Sequence, residues 1–122
     1  MYNIEFYQTS SGYCDTFEFL ENLRIKATIS KDHRIQYKQL ARYIQLLQEN
    51  GTNLPADIIK YLGDDIWELR PGINRVFFFY FDNDTYVLLH HFRKSTQKTP
   101  KRELQKAISE MNDYILRKEH DL

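Results

Sequence analysis

Residues 66–92 read IWELRPGINRVFFFYFDNDTYVLLHHF. Three runs rich in aromatic and β-branched residues, IWELR, NRVFFFYFD and TYVLLHHF, are separated by Pro71-Gly72 and by Asp82-Asn83-Asp84. Both separators carry turn chemistry, since Gly, Asn and Asp tolerate the positive φ that tight reversals need. A fourth run, IIKYL at 58–62, precedes them across Gly63-Asp64. The pattern predicts an antiparallel meander.

Upstream, YNIEFY alternates as a short strand with Tyr2, Ile4 and Phe6 on one side. Asp15 and Glu18 have capping-box spacing and predict a helix start, followed by Phe17, Leu20 and Leu23 on one face. A second helix is expected from Ser30, with Tyr37, Leu40, Ala41, Ile44 and Leu47 as its apolar stripe and Asn50-Gly51 as its end. After the meander, Thr99 as N-cap and Pro100 at the first helical position predict a last helix buried through Leu104, Ala107, Ile108, Met111 and Ile115. The expected product is one α+β domain over residues 1–122, a small antiparallel sheet with an N-terminal helical hairpin and a C-terminal helix.

The chain has 122 residues and formal net charge zero, from 17 basic and 17 acidic side chains, but the charges are segregated. Residues 1–23 hold Glu5, Asp15, Glu18 and Glu21 with no Lys or Arg, whereas Arg93, Lys94, Lys98, Lys101, Arg102 and Lys106 crowd against the single acid Glu103. Such asymmetry points to an anionic partner at one end of the molecule, or else to a solvated charged helix. The lone Cys14 cannot form an internal disulfide. The N-terminus MYNIEFYQ lacks a basic segment followed by an apolar run, and no stretch approaches the ~18 apolar residues of a membrane span. A cytoplasmic setting is expected.

Pro71-Gly72 suits the centre of a type II turn, and a loop of residues 71–74 sets Arg70 across the hairpin from Arg75. Like charges directly opposite are destabilising where a good cross-strand pair gains about 0.2–1 kcal/mol, so the fold alone does not favour the pairing. Either each arginine finds an aromatic ring or Glu68, or the pair serves forked contacts to phosphate. In the next hairpin, a two-residue loop at Asn83-Asp84 carries Arg75 opposite Phe92 with His90 and Phe77 on that face; a three-residue loop swaps the faces. Lys98, Lys101 and Arg102 at a helix start oppose the macrodipole at about 0.3–1 kcal/mol each, a sign that a bound anion reverses. His90 and His91 are adjacent on a strand and cannot share a metal. One is expected to pack in the sheet and the other, His91, to face the basic cleft as an acid or base. No phosphate-binding glycine loop, nucleophile elbow or glycosidase-like carboxylate pair is present, so the expected site uses neither metal nor cofactor.

The segments IWELRPGINRVFFFY and VLLHHFRKSTQKTPKREL, with WELR, a following Arg and the TQKTP signature as a set, resemble the phage-derived, HigB-like branch of the RelE/ParE toxin superfamily. The resemblance implies a RelE-like fold and a cytoplasmic toxin of a type II toxin–antitoxin pair. It further implies mRNA cleavage on the translating ribosome and a helix-turn-helix, HigA-like antitoxin as partner. The resemblance carries over Arg70, Arg75, Lys94 and Lys98, and the reading of the strand adds His91, as the catalytic candidates. Lys60, Arg93, Thr99, Lys101 and Arg102 are the candidate RNA contacts. The best-known RelE-type site has a tyrosine after the last strand and basic residues on the strand before the first arginine. This chain has no Tyr between Arg93 and Tyr114 and carries Ile66 and Glu68 on that strand, so proton transfer falls to other groups. Two competing readings are a ParE-like inhibitor that binds DNA gyrase without cutting, and an RNA-binding module without nuclease activity.

Overall fold

The central strands are apolar almost without interruption because helices cover them from both sides. In the computed structural model, which describes residues 1–121, the elements run β1 (Asn3–Phe6), α1 (Asp15–Lys26), α2 (Lys31–Asn50), β2 (Ile59–Gly63), β3 (Ile66–Leu69), β4 (Asn74–Phe81), β5 (Thr85–Arg93) and α3 (Lys101–His120). The strands form one sheet in the order β1-β5-β4-β3-β2. Leu23, Leu40 and Leu47 of α1 and α2 pack with Leu69, Val76, Phe78 and Leu88 on one face. Ala107, Met111 and Tyr114 of α3 pack with Ile66, Phe77, Phe79, Val87 and Leu89 on the other. Phe77, Phe78 and Phe79 are therefore all buried although they alternate between faces.

The α+β architecture, helical hairpin and closing helix agree with the sequence-based expectation, but the sheet is mixed. β2 to β5 form the antiparallel meander, while β1 runs parallel to β5, with Asn3 opposite Thr85 and Phe6 opposite Leu88. Parallel pairing needs a long connection, and here both helices and strands β2 to β4 lie between the partners.

Three local expectations are corrected and one open alternative is decided. The Pro71-Gly72 reversal closes one residue later than a type II turn would: the Asn74 N–H donates to the Pro71 carbonyl, with Gly72 at φ 63° in the first central position. That is the type II′ arrangement, whose twist suits a hairpin, and a Cβ at Gly72 would collide with Gln39. The β4–β5 loop has three residues, because Phe81 pairs with Thr85. Asp15 caps nothing, since the residue before it, Cys14, is the N-cap of α1 and makes no side-chain cap bond. Thr99 does not cap α3 either, for Pro100 takes that position. Ser30, by contrast, caps α2 as expected by accepting from the His33 N–H.

Asp15 is drawn away from capping by β5. Past the last pairing with β1, β5 runs on with that edge open, and the first turn of α1 covers it. Asp15 Oδ1 accepts from the His91 backbone N–H at 2.9 Å and lies 2.5 Å from His91 Nδ1, while the Thr16 hydroxyl donates to the Leu89 carbonyl at 2.9 Å. Partial burial pushes the Asp15 carboxyl up, but the two bonds from His91 outweigh it and hold the group below the usual aspartate range. A carboxyl depressed on folding contributes stability above its unfolded pKa of about 3.9 and loses it as pH falls through the lower folded value. Asp15→Ala is expected to cost about 1.5–3 kcal/mol at pH 7. Urea unfolding of both proteins should show that gap narrowing as pH falls below 4, toward about 3.

Candidate phosphate-binding cleft

The cleft forms where the β3–β4 turn meets the end of β5. Leu69 pairs with Val76, so the next two residues outward, Arg70 and Arg75, stand opposite each other as the sequence suggested. The turn is braced from α2, where Gln36 Oε1 accepts from Asn74 Nδ2 at 3.0 Å, and from β5, where the Lys94 N–H donates to the Ile73 carbonyl at 2.7 Å. Arg75 also pairs with Phe92. This is the partner a two-residue loop would give, and it arises because two deviations cancel: the three-residue loop shifts the register and a bulge between Val76 and Phe78 restores it.

Glu68 lies between the two arginines. It is 2% exposed; its Oε1 accepts from the Thr99 hydroxyl at 2.9 Å, and its Oε2 faces Arg70 Nε at 3.6 Å and Arg75 Nε at 4.0 Å. These last contacts are ion pairs, too long to be hydrogen bonds. Arg75 is buried and spends one terminal nitrogen on the turn, donating to the carbonyls of Gly72 at 2.7 Å and Asn74 at 2.8 Å. Burial lowers the Arg75 guanidinium from the usual arginine range, Glu68 opposes that, and Arg70 adds to it; the group stays cationic at any physiological pH. Arg70 is half-buried and donates to the Ala56 carbonyl at 3.1 Å.

Lys60, Lys94 and Lys98 complete the lining, together with Phe92, Ser95, Thr96, Gln97 and Thr99. Five cations thus surround one carboxylate. The 94–99 loop lines the cleft beside them and leaves it narrow. Its residues from Lys94 to Lys98 are exposed. The cleft can hold an oxyanion between forked donors once that loop moves aside.

Of the catalytic candidates, Arg70, Arg75, Lys94 and Lys98 come together, and Lys60 and Thr99 join them. His91 does not. It lies on the opposite face, tied to Asp15 and stacked on Phe19 with ring centroids 3.8 Å apart, so its expected place in the basic cleft is corrected. The bulge is the reason, since it turns His90 rather than His91 toward α3. His90 is the packed histidine, its ring nitrogens 2.5 Å from Glu110 Oε1 and 3.4 Å from Glu103 Oε2. Arg93, Lys101 and Arg102 are exposed and do not line the cleft. Sequence reasoning treated Glu68 only as a partner for an arginine. Its signal was a lone acid between Trp67 and Leu69 on a strand whose neighbours are buried.

A family model described as phage derived protein Gp49-like (DUF891) matches residues 27–112, from the turn before α2 well into α3. The chain belongs to the phage-derived Gp49-like family. This is a toxin-like family related to RelE and HigB. A search of the curated proteins gives no match. The matched part of this Gp49-like chain includes every residue lining the cleft.

Removing Arg75 strips two turn carbonyls of a donor and Glu68 of an ion-pair partner. Arg75→Ala should therefore cost about 1.5–3 kcal/mol in urea unfolding, and Arg70→Ala, at a half-exposed position, about 1 kcal/mol or less. Equal losses would contradict the division of roles between the two arginines.

Proposed function

We propose that this Gp49-like protein is the toxin of a type II toxin–antitoxin pair and cuts mRNA on the translating ribosome. The observation that carries the proposal is the pairing of Arg70 and Arg75 around a single carboxylate, with Lys60, Lys94 and Lys98 beside them. Phosphoryl transfer within RNA needs little covalent help from a protein. The ribose 2′-oxygen attacks the adjacent phosphorus, negative charge builds on the phosphoryl oxygens, and the 5′-oxygen leaves with a proton, giving a 2′,3′-cyclic phosphate. Fixed guanidiniums aimed at those oxygens stabilise the charge where it develops. Lys94 and Lys98 are ammonium donors within the cleft lining and supply the proton to the leaving group.

The resting cleft is narrow, so the substrate has to be delivered in an orientation that opens the 94–99 loop. A ribosome provides that, since positioning alone removes roughly 7–11 kcal/mol from a barrier. The cognate antitoxin, a helix-turn-helix protein on this reading, silences the toxin by covering or distorting the same basic edge.

Arg70→Ala is the cleaner probe, because Arg75 also holds the turn. Wild-type protein should cut a translated mRNA and leave 2′,3′-cyclic ends, with little cutting of naked RNA. Loss of Arg70 should slow cleavage about 100- to 1,000-fold, the usual effect of removing one oxyanion donor. Equal cutting of naked RNA by both proteins would overturn the proposal.

A further inference from the structure

We propose that Glu68 is the general base of the cleavage reaction; the inference rests on the nuclease reading above. With His91 on the far face, the cleft offers two kinds of proton carrier: the lysines Lys60, Lys94 and Lys98, and the carboxylate Glu68. At neutral pH an ordinary lysine is protonated and an ordinary carboxylate is not, so the lysines are placed to give a proton and Glu68 to take one. Its geometry suits that task. Oε1 is occupied by the Thr99 hydroxyl, whereas Oε2 accepts no hydrogen bond from any described residue and points between the guanidiniums that would grip the phosphate.

The groups facing Glu68 are Lys60, its pairing partner on β2, Arg70 on its own strand, Arg75 on β4, and Lys94, Lys98 and Thr99 of the loop. All except the threonine are basic side chains, so the carboxylate stands where a phosphate would also be held. The carboxylate is bordered by an exposed loop. The side-chain bond from Thr99 to Glu68 is the tie to release, and breaking it frees Oε1 as well. With RNA seated between the arginines and the opened loop still beside it, Glu68 removes the proton from the 2′-hydroxyl as the 2′-oxygen bonds to phosphorus. The bond from phosphorus to the 5′-oxygen breaks, and that oxygen takes a proton from Lys94 or Lys98. The products are a 2′,3′-cyclic phosphate and a free 5′-hydroxyl. Glu68 then returns its proton to solvent and the lysine regains one.

The test is single-turnover cleavage of ribosome-bound mRNA across pH by wild type, Glu68→Gln and Glu68→Asp, with urea unfolding run on each. Glutamine keeps an oxygen for Thr99 but cannot accept the proton. The expected result is a loss of about 100-fold or more in the Glu68→Gln cleavage rate with ribosome binding retained. The acidic limb of the pH profile should be present in wild type, absent in Glu68→Gln and partly recovered in Glu68→Asp. A folded Glu68→Gln protein that cuts within a few-fold of wild type would overturn the assignment while leaving the nuclease reading intact. So would a slower variant whose profile keeps the wild-type acidic limb, because a residue that merely positions the arginines behaves that way. Should Glu68→Gln not fold, Glu68→Ala in added formate takes its place, and failure of formate to restore cutting overturns the assignment. A wild-type protein that cuts no ribosome-bound mRNA removes the nuclease reading and this inference together.

Discussion

Leu89 and His90 together oppose Phe77 across β4 and β5, and the rest of the site follows from that one extra residue. Up to Leu88, β5 alternates regularly, with Val87 toward α3 and Leu88 toward α1 and α2. The bulge puts both Leu89 and His90 on the α3 side and reverses the alternation beyond them. His90 then meets Glu103 and Glu110 of α3, Phe92 joins Arg75 beside the cleft, and His91 turns to Asp15. A regular strand in the same loop register would send His91 to the α3 side and Phe92 away from it, leaving the arginines without their aromatic wall. The two short carboxylate contacts, one on each histidine, fasten a helix to each face of the sheet at the point where the pattern changes. α3 therefore starts where the 94–99 loop must close.

Part of the chain's charge is separated along the sheet. Strand directions put the β3–β4 turn and the end of β5 at one end of the sheet, with Lys60, Arg70, Arg75, Lys94 and Lys98. They put the β2–β3 and β4–β5 turns at the other, where the residues are Asp64, Asp65, Asp82 and Asp84. Three of those acids, Asp64, Asp65 and Asp84, adopt positive φ, a conformation that Asn or Gly would accept more readily. A polyanion approaching such a molecule is drawn to one end and repelled from the other, which orients it before contact. Three of the four N-terminal acids singled out in the sequence serve locally instead: Asp15 holds β5, Glu21 pairs with Arg24, and Glu5 accepts from Tyr114 of α3.

What the sequence made legible was set by local physics. Apolar spacing located every helix and strand, and turn chemistry located the reversals of the meander, since both signals lie within a few neighbouring residues. The opposition of Arg70 and Arg75 followed because a short hairpin fixes its own register. Three features escaped for a shared reason. The parallel pairing of β1 with β5 joins segments some 80 residues apart; the capture of Asp15 by His91 spans 76 residues; and the Thr99–Glu68 bond spans 31. In each case a side chain or strand with a good local role was taken by a stronger distant partner. Asp15 and Thr99 both had capping geometry available and gave it up. For Thr99, the alternative was to leave the buried Glu68 without a hydrogen-bond donor, a cost of about 1–3 kcal/mol or more against about 1 kcal/mol for a cap.

That comparison also explains why two arginines can face each other in a protein that carries no substrate. Their mutual repulsion opposes the hairpin, and a buried carboxylate between them offsets it with two attractive contacts. Glu68 in turn is tolerable in a buried site only because cations and a hydroxyl surround it. Neither half of the arrangement is stable without the other, so the fold keeps the arginines charged, close together and aimed at one point before any phosphate arrives. A phosphate entering there joins a field already built around a carboxylate oxygen, and it needs only to displace an exposed loop. Preorganisation of that kind is what makes fixed charges effective in transition-state stabilisation, because the protein does not reorganise its dipoles during the reaction. The constraint that stabilises the folded hairpin and the constraint that prepares the cleft are thus one interaction, centred on the carboxylate of residue Glu68.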